Sequence, residues 1–122
     1  VLTHNHPARW NFALTDPRHV DNSFFIDDIR TACLGNLREL RAVTPRYRYS
    51  MCKPAGGWHK NYYFDKIIEP AYIKYRDLVR REFYSKINKG LMTGKQAEAN
   101  HFHEIWSRIA NETGIDYIRE EI

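Results

Sequence analysis

Apolar positions recur along this chain in two rhythms, one in each half. In the first half the rhythm is short and interrupted. Val1-Leu2-Thr3-His4 reads as a β-prone stretch. Pro7, Asn11, Asp16, Pro17, Asp21 and Asn22 follow closely, so residues 7–22 predict a long loop, pinned by Trp10, Phe12 and Leu14. Over residues 24–34 the spacing of Phe25, Ile29, Ala32 and Cys33 predicts a helix. Asn22 or Ser23 is its expected N-cap, Asp27 and Asp28 fall in the favourable first turn, and Gly35 can close it. Residues 40–43 read as a strand, Pro45-Arg46 as a turn, and residues 47–51 as the hairpin partner.

Lys53-Pro54-Ala55-Gly56-Gly57 breaks the pattern, and a helical rhythm follows. Phe64, Ile67, Ile68, Tyr72, Tyr75, Leu78, Val79 and Ile87 form one apolar stripe. Pro70 is expected to kink or split it, with one helix to about residue 69 and another to about residue 88, before Lys89-Gly90 ends the run. Thr93-Gly94-Lys95-Gln96 matches a capping box opening a last helix with Ala97, Phe102, Ile105, Trp106 and Ile109, stopped at Gly114. Residues 115–118 suit a short closing strand. The prediction is a mixed α/β domain spanning residues 1–122. A small sheet comes from the N-terminal half, residues 1–53, and helices come from residues 58–122.

Composition narrows this picture modestly. The 122 residues are 43% hydrophobic and 28% charged, ordinary for a soluble globular domain. Eight Tyr, six Phe and three Trp argue against disorder. The net charge of +4 permits weak attraction to nucleic acid, but the basic residues are interspersed with carboxylates. No apolar run reaches the roughly 20 residues needed to span a bilayer, and no signal-peptide pattern is visible. Cys33 and Cys52 belong to no Cys-x-x-Cys pair and read as reduced thiols in a cytoplasmic protein, a bridge between them being the alternative. Opening on Val1, without methionine, the chain reads as a fragment, a processed product or the ordered part of something longer.

The chemistry concentrates at His4-Asn5-His6-Pro7. Two histidines one residue apart share a face of an extended segment, which suits a pair of zinc ligands. A carboxylate from the first turn of the next helix can supply a third; Asp28 is the first choice and Asp27 the second. Three protein ligands leave one position open, the catalytic rather than the structural arrangement of Zn2+.

His-x-His-Pro, an Asp at a helix start and then a strand together resemble the JAMM (JAB/MPN-type) metallohydrolases, and the His-Asn-His-Pro wording is most similar to their RadC-like branch. The resemblance covers about the first 50 residues. It implies a zinc hydrolase cutting amide or isopeptide bonds of a peptide or protein substrate, with His4, His6 and Asp28 as ligands. Ser23 stands nearest the family's serine, although the family's register falls on Phe25. The family's catalytic Glu lies upstream of the histidines, and Val1, Leu2 and Thr3 supply none, so turnover needs a Glu from elsewhere. The loop between His6 and Asp28 is longer than the family usually has. A helical tail beside such a segment is similar to proteins of phages and mobile elements.

The competing reading is a non-enzymatic module binding nucleic acid or a protein partner. Arg76, Arg80, Arg81, Lys86 and Lys89, with Tyr72, Tyr75 and Tyr84, make a basic, aromatic helix of the kind that contacts nucleic acid. His101 and Glu104 could share an ion. His101 and His103, two apart on a helix, face different sides and read as solvent-facing residues flanking a buried Phe102. His19 and His59 carry no informative spacing.

Overall fold

The computed structural model describes residues 2–5, 23–58 and 63–122, with side chains for residues 23–58 and 63–122. The fold is mixed α/β. Its elements are β1 (Leu2–Asn5), α1 (Ile26–Leu34), β2 (Glu39–Val43), β3 (Tyr47–Cys52), a π-helical turn (Phe64–Ile68) running into α2 (Glu69–Asn88), α3 (Gly94–Thr113) and β4 (Tyr117–Glu121). The predicted loop over residues 7–22, with its pins Trp10, Phe12 and Leu14, lies outside the described residues.

Four strands form one sheet in the order β1-β2-β3-β4. β2, β3 and β4 are antiparallel neighbours. β1 pairs parallel to β2, from Leu2 opposite Leu40 to Asn5 opposite Val43. Parallel neighbours require a crossover connection rather than a tight turn, and α1 lies within that connection. The sheet is thus not built from the N-terminal half alone, because the last strand comes from the C-terminus. It starts at Tyr117, two residues later than expected, since Ile115 is buried in the core and the Asp116 carbonyl accepts from Cys52 N–H.

Alternation decides which face is covered. Leu40, Ala42, Tyr49 and Met51 are buried, and they join Ile29, Ile68, Val79, Ile105, Trp106 and Ile109 in one core. The intervening positions are polar; exposed Arg48 and Glu120 face each other across β3 and β4 at 2.7 Å.

Two local expectations need correction. The N-cap of α1 is Phe25, not Asn22 or Ser23. Ser23 is drawn to Tyr117 instead, and Asp28 reaches back to accept from Phe25 N–H at 2.8 Å. Pro70 does not split the helix. It lies at the start of α2, where a missing N–H costs least, and the widened π turn before it keeps the chain helical, Glu69 N–H donating to the Phe64 carbonyl. The buried stripe then runs through Phe64, Ile68, Tyr72, Val79 and Phe83, leaving Ile67 exposed. The Thr93–Gln96 capping box forms in both directions, and Gly114 closes α3 in the left-handed region at φ 79°. Among the described residues, no helix is long and apolar enough to cross a membrane.

Candidate metal centre and the polar chain behind it

One rung of the sheet organises the site. His4 is the register partner of Ala42, Ala42 of Tyr49, and Tyr49 of Arg119, so one line crosses all four strands. Phe24, two residues before α1, lies edge-on to Tyr49 with ring centroids 6.3 Å apart. The segment leading into the Asp28 turn is therefore packed on β3, which β2 separates from β1. The side chain of His4, and His6 altogether, lie outside the described residues.

The two acidic candidates differ in environment. Asp27 is exposed, 3.8 Å from Arg30, and its carbonyl accepts from Thr31 Oγ1. Asp28 is half-buried, and one carboxylate oxygen is steadied by Phe25 N–H. That bond is the return half of the α1 capping box, and it fixes the orientation of the carboxylate. Among the described residues no three His, Cys, Asp or Glu side chains converge into a metal-holding group. Of the predicted triad they contain only the side chain of Asp28.

Ser23 is fully buried, and its hydroxyl is 2.6 Å from Tyr117 OH. Tyr117 OH is in turn 2.9 Å from His103 Nδ1. The single phenolic proton allows the chain to run in either direction: Ser23 to Tyr117 to His103, or the reverse. Burial raises the Tyr117 phenol, and the Ser23 hydrogen bond offsets part of that rise. Burial also pushes His103 down to about 4, with the Arg119 charge adding to the effect and Glu104 opposing it. The ring is neutral at physiological pH.

His103 is thus not a solvent-facing residue. It is half-buried against the sheet, its ring 6.3 Å from that of Tyr49. Phe102 is only half-buried and lies edge-on to Phe25 at 5.2 Å. Sequence spacing placed His101 and His103 on different sides, which is how they lie, but gave no signal for the inward one. That depends on β4 folding beneath α3. His101 stacks on Phe102 and its Nδ1 lies 3.2 Å from the Glu98 carbonyl. Glu104 accepts from Arg108 Nε at 3.0 Å, so an ion shared between His101 and Glu104 competes with that pair. His19 and His59 lie outside the described residues.

Neither cysteine offers a nucleophile. Both are free thiols; Cys33 is buried, and burial pushes it up to about 11, with Asp65 contributing.

The basic helix is largely internally balanced. Lys74 pairs with Glu112, Arg76 and Arg80 approach Asp77, and Arg108 of α3 takes Glu82 with both terminal nitrogens. Tyr72 is buried and Tyr75 half-buried, leaving Tyr84 at 67% exposure. Between α2 and α3 runs a groove of about 460 Å³, its floor including Val79, Phe83 and Phe102 and its rim Arg76, Arg80 and His101.

Compared with protein-family models, curated proteins and solved structures, the chain matches none.

Proposed function

We propose that this chain is the metal-binding segment of a JAMM-type zinc metallohydrolase acting on a peptide or isopeptide bond. The observation that supports it most is the rung joining His4, Ala42 and Tyr49, with Phe24 packed on Tyr49 at the approach to α1. A helix returning the chain between parallel strands runs antiparallel to them, so its first turn lies toward the end where the first strand finishes. That arrangement favours a common centre for His4, His6 and Asp28. A zinc ion held there would supply Lewis acidity to a scissile amide. This chain's own part is to bind and orient: Asp28 is fixed by Phe25 N–H, and His4 belongs to β1. The general base is not assigned, because Val1, Leu2 and Thr3 offer no carboxylate. Two free thiols fit a reducing compartment such as the cytoplasm.

The test is elemental analysis after zinc reconstitution and desalting. About one zinc per chain is expected in the parent protein, as an open three-ligand site implies, and none in His6→Ala or Asp28→Ala. Parent protein that retains no zinc overturns the reading. A second reading, contact with nucleic acid or an acidic partner, is favoured by the far end of α2. There Arg81 and Lys89 have no acidic partner among the described residues, beside the exposed Tyr84. Metal-free protein with steeply salt-sensitive nucleic-acid binding selects it.

A further inference from the structure

The groove of about 460 Å³ between α2 and α3 has the size of a small-molecule site. Its floor is apolar: Val79, Phe83 and Ile105 are buried and Phe102 is half-buried. The Lys74–Glu112 and Glu82–Arg108 pairs tie the two helices together, and none of these four residues lines the groove. The numbers rise along α2 as they fall along α3 in these pairs, so the helices run in opposite directions. Tyr72, Arg76 and Arg80 therefore stand toward one end of the groove, and Ile87, Ala97 and Glu98 toward the other. From Arg76 to Ile87 the helix rises about 16 Å. Spread over that length, the volume leaves about 30 Å² of cross-section, enough for an alkyl chain or a flat ring but not for a helix about 10 Å across.

The two ends differ in chemistry. Tyr72 is 9% exposed, and its hydroxyl has no hydrogen-bond partner among the described residues. A nearly buried phenol that lines a groove without a partner calls for an acceptor there. Arg76 and Arg80 lie one helical turn apart and share the single carboxylate of Asp77, at 3.4 and 3.6 Å, which leaves one positive charge over. Glu98, toward the opposite end, is the only carboxylate lining the groove. We propose that this groove binds a free amphipathic monocarboxylate. Its carboxylate sits at Tyr72, Arg76 and Arg80, and its apolar body lies along the floor toward Ile87 and Ala97. Guanidinium forks match the geometry of a carboxylate, and the phenol adds a third donor. Glu98 sets the polarity, since it repels a reversed ligand and a second carboxylate at the far end. The inference is independent of the metal-site reading.

The probe is decanoate, kept below the concentration at which it forms micelles, with decanol and decanedioate as comparisons. Calorimetric titration should give about one decanoate per chain, bound about tenfold more tightly than either comparison, the effect of one charge-assisted hydrogen bond. Tyr72→Phe removes only a hydroxyl without a partner in the protein, so the fold is kept; it should weaken decanoate about tenfold and leave decanol unchanged. The double variant Arg76→Gln, Arg80→Gln should do the same. Ala97→Trp fills the apolar end and should abolish binding of both. Methyl resonances locate the ligand: those of Val79, Ile87, Ala97 and Ile105 should shift, and those of the exposed Leu34 and Ile118 should not. Decanol bound as tightly as decanoate, or Tyr72→Phe without effect, overturns the proposal. Shifts that extend to Leu34 and Ile118 overturn it as adventitious adsorption. No decanoate binding overturns it as well, and binding of a Glu-flanked amphipathic helical peptide in its place assigns the groove to a protein partner.

Discussion

Acidification should destabilise this protein in part through His103. His103 is held neutral against the sheet, its pKa lowered from 6.5 to about 4, first by burial and then by Arg119, with Glu104 opposing. Tyr117 on β4 and Tyr49 on β3 complete its surroundings and supply no charge at neutral pH. Between those two pH values the unfolded chain binds a proton that the folded chain refuses. Stability is therefore full above pH 6.5 and is lost as pH falls toward 4. At about 1.4 kcal/mol per pH unit that gap corresponds to about 3.5 kcal/mol. The ring still touches solvent, and screening brings the expected loss to about 1.5 kcal/mol. Urea unfolding at pH 7.5 and 4.5 measures it, with His103→Gln as the comparison, since Gln keeps a hydrogen-bonding group for Tyr117 and does not titrate. The other five histidines are common to both proteins, so the difference isolates position 103. The reasoning is refuted if the Gln variant loses as much stability as the parent, or if the His103 ring resonances titrate near 6.5.

Gly114→Ala should cost about 1 kcal/mol, because φ is 79° there while nothing lies within 4 Å of an added Cβ, so backbone strain alone acts; a thermal midpoint unchanged within about 1 °C would contradict it. A chain ending at residue 57 should show no cooperative unfolding transition, since it lacks β4 and the partners of Ser23 and Phe24. A sharp thermal melt of that fragment would show that the first half closes its own core.

What could be read from the sequence was what is decided locally. The Thr93–Gln96 capping box needs only its own four residues, and both of its hydrogen bonds form. The β2–β3 hairpin followed from Pro45-Arg46 between alternating strands, and Thr44 closes it onto Tyr47. The rule for helix interiors makes Pro70 a break, whereas it stands at a helix start behind a π turn. The least legible features join distant positions. Ser23 and Tyr117 are 94 residues apart, so neither the displaced N-cap of α1 nor the inward face of His103 leaves a periodic trace. At the candidate site, His4-Asn5-His6-Pro7 and Asp28 were visible as residue types. The parallel pairing of β1 with β2 was not, because it joins segments 38 residues apart.

The relation between the two halves follows from the same contacts. A proposed metal site confined to the first 28 residues invites the view that the helices are an appended tail. The buried groups argue otherwise. Without β4 the Ser23 hydroxyl loses its partner inside the protein, and without α3 the Phe24 carbonyl does too; each orphaned group costs about 1–3 kcal/mol. Those two losses are a large share of the 5–15 kcal/mol that holds a domain of this size together. They fall on the residues that lead into Asp28. The β4 strand also covers the edge of β3, which would otherwise expose unpaired backbone groups. The helical half is thus structural support for the first turn of α1. Substitutions in α3 and β4 belong first to the question of how Asp28 is held, and only afterwards to the question of what the groove between α2 and α3 binds.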